Sequence, residues 1–277
     1  MKCRDRYYPR TNGTVERLTV SDDKVSWKVL WDNYNPPDFT FEHIKKQAWA
    51  DPEIGDSNFI PSWNKLDGNV DRRSHMGFYT FWGGYPQNPC GRTGLRGRGL
   101  LGRWGPNHAA DPVVTRWKRG QDGHQITDKM TNKPLLQFIG IRRRDCGQWA
   151  IPGGMVDPGE LVSTTLKREF LEEALNTLEL DTEGQENIEK LLGDFFSWGA
   201  EIYKGYVDDP RNTDNAWIET VVYNFHDDKG VIVGSLPFSA GDDAISVKWL
   251  DVSNALNLYA SHSDFIKLVA LKHNAHW

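Results

Sequence analysis

The sequence predicts an α/β fold: an α/β/α sandwich of one mixed sheet between helices, preceded by a smaller, loop-rich β lobe. Two observations carry this. From Leu135 onward, short apolar runs of strand length alternate with segments of helical spacing over about 140 residues. Before residue 120 the texture differs, with short extended pieces divided by Pro- and Gly-rich connections and apolar content held in scattered Trp and Tyr residues. The chain of 277 residues suits two lobes. They are expected at 1–120, an aromatic-rich β lobe, and at 121–277.

In the first lobe, Glu16–Val20 and Val25–Trp31 read as extended pieces. Gly91 to Trp104 is rich in Gly and Arg; composition favours a solvated loop, with a phosphate-contacting loop as the alternative. Residues 120–134 suit a hairpin or surface insertion. Leu135–Ile141 reads as a buried strand, and Trp149–Ile151 as a second, ended by Pro152 and a glycine pair. Helical spacing covers Glu160 to Leu178 and Ile188–Phe196. Strands follow at Glu201–Val207, Trp217–Phe225 and Ser246–Val252, and an amphipathic helix at Ser263–His273.

The formal net charge of −5 argues against nucleic-acid or anionic-membrane partners. A polyanionic substrate would need local positive charge from Arg, Lys or bound metal. The three cysteines (Cys3, Cys90, Cys146) are widely spaced and without CxxC, so they read as free thiols in a reducing compartment. No run approaches the roughly 18 apolar residues of a membrane span, and the N-terminus lacks a signal-peptide core. No membrane insertion by this segment is expected.

The chemistry concentrates in Gly153-Gly154-Met155-Val156-Asp157-Pro158-Gly159-Glu160, followed by Arg168-Glu169-Phe170-Leu171-Glu172-Glu173. This reads as strand, glycine loop, helix, the glycines serving positive φ or close backbone approach. Pro158-Gly159 makes a turn and Glu160 stands near the helix N-terminus. Glu169 and Glu173, four apart, share a helix face with Val162 and Leu166, and Glu172 flanks them. Like charges on a partly apolar stripe repel and are costly to bury. A cation removes that cost, and several carboxylates suit Mg²⁺ or Mn²⁺. Arg168 could steady a carboxylate or meet a phosphate oxygen. Glu-rich helices are commonly only solvated; the glycine loop and the spaced Glu160 favour a metal site here.

This stretch resembles the Nudix box, Gly-x5-Glu-x7-Arg-Glu-apolar-x-Glu-Glu, at Gly154, Glu160, Arg168, Glu169, Phe170, Glu172 and Glu173. The family pattern expects glycine and an aliphatic residue next, where this chain has Leu175 and Asn176, a departure at the helix end and not at the ligands. Gly99–His108 and Tyr203–Trp217 are similar to animal ADP-ribose pyrophosphatases of the mitochondrial type, and equally to the Nudix-homology domain of melastatin-type, ADP-ribose-gated cation channels. Lys24–Val29 and Arg92–Gly99 lean toward the channel branch.

The resemblance implies a diphosphatase that splits ADP-ribose into AMP and ribose 5-phosphate with Mg²⁺ or Mn²⁺, the first lobe capping the substrate. Glu169 and Glu173 would hold the metal, with Glu172 or Glu160 completing a second site. The base could come from Gly241-Asp242-Asp243, whose other reading is an ordinary Gly-Asp turn. Asp208–Trp217 reads as a turn-rich loop or, by the family segment, a substrate loop: Arg211 on a phosphate, Asp209 and Asp214 on ribose hydroxyls, Asn212 beside them. Gly153 and Gly154 are counted with the substrate contacts. Tyr259 is a candidate contact near the nucleotide; Trp217 reads as core and His108 as a satisfied loop histidine. The setting expected is the cytosolic C-terminal domain of a tetrameric cation (calcium) channel, tethered at the plasma membrane, with a free enzyme, including one of the mitochondrial matrix, as the alternative. The other functional class is an ADP-ribose sensor that gates such a channel with slow or no hydrolysis.

Overall fold

The computed structural model describes residues 1–176, 182–236, 238 and 244–277. The chain divides into two compact units, Met1–His108 with Gly205–Thr220, and Ala109–Lys204 with Val221–Trp277.

Unit 1 contains short elements: β1 (Asp38–Thr40), α1 (Glu42–Lys45), β2 (Leu66–Asp67), β3 (Val70–Asp71), β4 (Phe81–Trp82), β5 (Tyr85–Pro86) and β6 (Arg96–Gly99). β1 pairs with β6 in parallel, whereas β2–β3 and β4–β5 are antiparallel two-stranded ribbons. So little ladder leaves many main-chain carbonyls to be satisfied otherwise, and buried arginines do much of it. Arg92 donates to the carbonyls of Lys24, Ser26 and Val29 and lies over the rings of Trp27, Trp31 and Tyr34. This overturns the extended reading of Val25–Trp31. The segment curls through a turn closed by Val29 N–H on Ser26 O, because the carbonyls of Lys24, Ser26 and Val29 converge on one guanidinium.

The solvated-loop reading of Gly91–Trp104 is also overturned. Arg92, Thr93, Leu95, Arg98, Leu101 and Trp104 are buried, Arg98 completely. Arg98 donates to the carbonyls of Asp51 and Gly102 and pairs with Glu53, while its guanidinium faces the Trp104 ring. The hub of this region is the buried Asp51 carboxylate. It receives both terminal nitrogens of Arg72, one of Arg103 and the Trp104 amide, at 2.7–2.9 Å. The segment Gly205–Thr220 is woven into the same unit: Thr213 Oγ1 donates to Gly97 O, and Gly97 N–H to Asn215 Oδ1.

Unit 2 is built on a mixed sheet with the strand order β11-β12-β7-β8-β13. The strands are β7 (Gly105–Trp117), β8 (Leu136–Arg143), β11 (Ala200–Tyr206), β12 (Ala216–Asp227) and β13 (Ala244–Asp251); β9 (Trp149–Ala150) joins β8, and β10 (Gly154–Met155) joins β7. The helices are α2 (Val162–Leu175), α3 (Thr182–Gly193) and α4 (His262–Lys272). β8 is buried almost continuously, as a strand covered on both faces must be. Leu166, Phe170, Leu171, Ala174 and Leu175 of α2 pack with Ala110, Val114, Ile139, Phe195 and Phe225 in the main core. α4 buries Phe265, Ile266, Val269 and Ala270. The α/β/α sandwich is as expected, and bridges Arg119↔Gln125 and Thr127↔Pro134 give residues 120–134 their hairpin. All three cysteines are free thiols. Among the described residues no helix is long and apolar enough to cross a membrane.

Removing Asp51 would take from the buried Arg72 guanidinium its bidentate partner, leaving only Asp67, and would unpair the half-buried Arg103, a defect worth up to about 3–5 kcal/mol. Urea unfolding of Asp51→Ala should show a loss of that size. A loss below about 1 kcal/mol would show that the hub does not hold unit 1.

Candidate active site

The site is built where β10 and its glycines meet α2. Gly153 and Gly154 do not have positive φ; of the two reasons for glycine, close approach is the one that applies. A Cβ on Gly154 would overlap the Glu169 carboxylate, and one on Gly153 would overlap Asp111. Gly159, in the turn before the helix, does require positive φ (82°). α2 starts at Val162 and stops at Asn176, which adopts the left-handed conformation (φ 50°) and returns its N–H to Leu171 O. The departure of Asn176 from the family pattern thus has a local role, since asparagine tolerates that cap. Residues 177 and 178, expected to be helical, lie outside the described residues.

The apolar stripe that seats α2 on the sheet carries two carboxylates inward. Glu169 is 8% exposed and Glu173 9%, while Glu160 and Glu172 are half-buried. Glu173 Oε2 accepts the Gly153 N–H at 2.9 Å, so the glycine loop orients it. Arg168 organises the others. Its Nε and one terminal nitrogen grip Glu160 at 3.0 Å each, and the other terminal nitrogen reaches Glu169 Oε1 at 2.9 Å and Glu172 Oε2 at 3.2 Å. Glu160 also accepts from Thr165 Oγ1 and the Asp157 N–H. Four donors on two oxygens leave Glu160 placed to hold Arg168, and the same bonds keep its pKa below the usual carboxylate range. The Arg168 pKa is raised correspondingly, chiefly by Glu160.

Burial pushes the Glu169 pKa up to about 7, with the negative charges of Glu172 and Asp111 adding to the effect and Arg168 opposing it. One guanidinium does not offset this concentration of carboxylate. Asp111, on β7 and 7% exposed, was not anticipated. The available signal was an acidic residue inside the otherwise apolar run Ala109–Val114. Glu169 and Glu172 share one nitrogen of Arg168, beside glycines with no room for a side chain; a hard divalent cation would draw such carboxylates closer than they stand here and allow Glu169 to ionise fully.

The other expected site residues fall elsewhere. In unit 1, Asp209 is buried and forms a bidentate pair with Arg211 at 2.8 Å on both sides; the Arg211 side chain is 25% exposed. Asn212 and Asp214 face the interior of that unit. Asn212 donates to Val207 O and accepts the Ile218 N–H, and Asp214 accepts from Tyr34, the Thr93 amide and the Thr93 hydroxyl. Trp217 is fully buried, as expected, and donates to Glu219 Oε1 at 2.7 Å. His108 is not the satisfied loop histidine expected: it lies on β7, and both ring nitrogens are buried without a hydrogen-bond partner. In unit 2, Tyr259 lies under Arg143, 4.4 Å from guanidinium to ring. Asp242 and Asp243 lie outside the described residues.

Comparison with known proteins gives two family matches, a "NUDT9-like, N-terminal domain" over residues 20–105 and a "NUDIX domain" over 131–269. Over 278 aligned residues the chain is 56% identical to the mitochondrial ADP-ribose pyrophosphatase of Rattus norvegicus, covering all of this chain and 79% of that protein. It is 48% identical to a protein described as nudix hydrolase 6 in Caenorhabditis elegans, covering 99% and 97% of the two chains. It is also 48% identical to the Nematostella vectensis transient receptor potential cation channel subfamily M member-like 2, of which it spans only 18%.

Gly154→Ala should displace the Glu169 carboxylate while leaving the core of α2 intact. A shift of about 1 Å at a reacting centre costs on the order of 100-fold in rate. Hydrolytic kcat/KM, measured beside circular dichroism, should fall by that order with the spectrum unchanged; full activity would show that Glu169 does not need this cradle.

Proposed function

This chain belongs to the Nudix hydrolase family, and we propose that it hydrolyses ADP-ribose to AMP and ribose 5-phosphate with Mg²⁺ or Mn²⁺. The observation that carries the reading is the pair of buried carboxylates, Glu169 and Glu173, one pressed against Gly154 where no side chain fits and the other held by the Gly153 N–H. The substrate is supported by the rat pyrophosphatase, which aligns with the whole chain.

In this reading Glu169 and Glu173 hold the metal and Glu172 flanks it. The bound cation supplies neutralisation of diphosphate charge and acidifies water. The chain's own groups do the positioning. Gly153 N–H fixes the Glu173 carboxylate, and Arg168, clamped by Glu160, sets the rotamers of Glu169 and Glu172. Glu160, first a candidate ligand, becomes the support for Arg168. Arg211, pre-oriented by Asp209, contacts a substrate phosphate. Asn212 and Asp214 shape its loop from within, and Tyr259 offers an aromatic surface for the nucleotide. For the proton of the attacking water, Asp242 and Asp243 are the candidates from sequence.

The direct test is incubation with ADP-ribose and Mg²⁺, with AMP as the readout. Tight binding without AMP would point to the sensing module of a channel and overturn the enzymatic reading. Glu169→Gln and Glu173→Gln should each abolish turnover in a folded protein; normal rates in both would remove them from the metal site. Arg211→Ala should raise KM more than it lowers kcat, the signature of lost ground-state binding. An unchanged KM would restrict Arg211 to a structural role in its loop.

A further inference from the structure

We propose that unit 1 carries a second metal centre, formed by His75, His108 and Glu219 and suited to a borderline-soft divalent ion such as Zn²⁺. It is independent of the carboxylates of α2. One ligand atom from each residue lies within 4.8 Å of the other two. Metal–ligand bonds of about 2.0–2.1 Å place the donors of a tetrahedral centre about 3.3 Å apart, so modest side-chain rotations would close the site.

Three features favour an ion over a packed histidine pair. Glu219 is fully buried, with Oε1 accepting from Ser74 Oγ (2.5 Å) and Trp217 Nε1 (2.7 Å) and Oε2 from the His75 N–H (2.5 Å). Such outer bonds orient a metal-binding carboxylate, and Oε2 keeps a lone pair. The His108 ring nitrogens are cut off from solvent and make no hydrogen bond of normal geometry, with the Asp71 and Arg73 main chain nearby; a buried nitrogen left so costs about 1–3 kcal/mol if nothing binds there. Finally, the two imidazoles lie beside each other, centroids 4.7 Å apart and planes inclined at 48°.

Two imidazole nitrogens and one carboxylate oxygen select Zn²⁺ and its neighbours over Mg²⁺. Three protein ligands leave a fourth position for water or an exchangeable group. The ion would bind the turn at Ser74–His75 to the strand residues His108 and Glu219, three separate stretches of chain.

The test uses the full chain, stripped with a chelator and titrated with Co²⁺ in excess Mg²⁺, reading the visible absorption of four-coordinate Co²⁺. One equivalent should bind, and Zn²⁺ should displace it. His75→Ala and His108→Ala should each weaken binding by about 100-fold or more, while Glu169→Gln leaves it unchanged. His75 is only half-buried, so its variant keeps the test open if His108→Ala fails to fold. No saturable Co²⁺ signal, or a signal that survives in the histidine variants, or one lost in Glu169→Gln, would overturn the proposal.

Discussion

The constraint on which the candidate site depends is that one face of α2 must seat the helix and carry charge at once. Leu166, Phe170 and Ala174 dock the helix on the sheet, and that docking takes Glu169 and Glu173 out of solvent. Buried like charges need partners. The Gly153 N–H serves Glu173 and Arg168 serves Glu169, but Glu172 and Asp111 add negative charge close by, and the Glu169 pKa rises to about 7. The glycine pair makes room for the Glu169 and Asp111 carboxylates themselves. The helix gives up stability of its own for a group of oxygens that a divalent ion would complete, a common compromise at functional sites.

Unit 1 solves a different problem. Its strands are too short to satisfy its backbone, and arginines take over the task. Arg17 donates to the carbonyls of Pro210 and Asn212, Arg92 to three carbonyls of the 24–29 turn, and Arg98 to Asp51 and Gly102. Planar, weakly hydrated guanidinium groups can be buried against aromatic rings while spending their donors on carbonyls. The same wiring fixes the loop of Asp209 and Arg211. Its inner residues, Asn212 and Asp214, are held by Tyr34, Thr93 and Val207, so Arg211 starts from a rigid base.

Legibility in the sequence followed the range of the interactions. Most strands and helices of unit 2 show in local periodicity, because each buries one face or stripe against a sheet; the exceptions are β7, whose residues the sequence assigns to the first lobe, and α3, which starts at Thr182 and not at Ile188. The carboxylate cluster was readable because one helix and its preceding loop carry most of it. Asp111 was missed because it joins from a distant strand. Gly91–Trp104 looked solvated because its arginines are polar; their burial depends on Asp51 and Glu53, about 45 residues earlier. His108 looked ordinary because its two possible co-ligands, at 75 and 219, share no local pattern with it. The turn at Val25–Trp31 likewise follows from Arg92, which no window around residue 28 contains.

The account turns on whether α2 trades stability for cation binding, and thermal unfolding of the wild type and Glu169→Gln, each with and without Mg²⁺, measures that trade. The predicted result is a wild type whose Tm rises with Mg²⁺, and a variant that unfolds above the wild type without metal and does not respond to it. An equal rise in both proteins, with the variant no more stable when metal-free, would contradict the assignment of Glu169 to the cation.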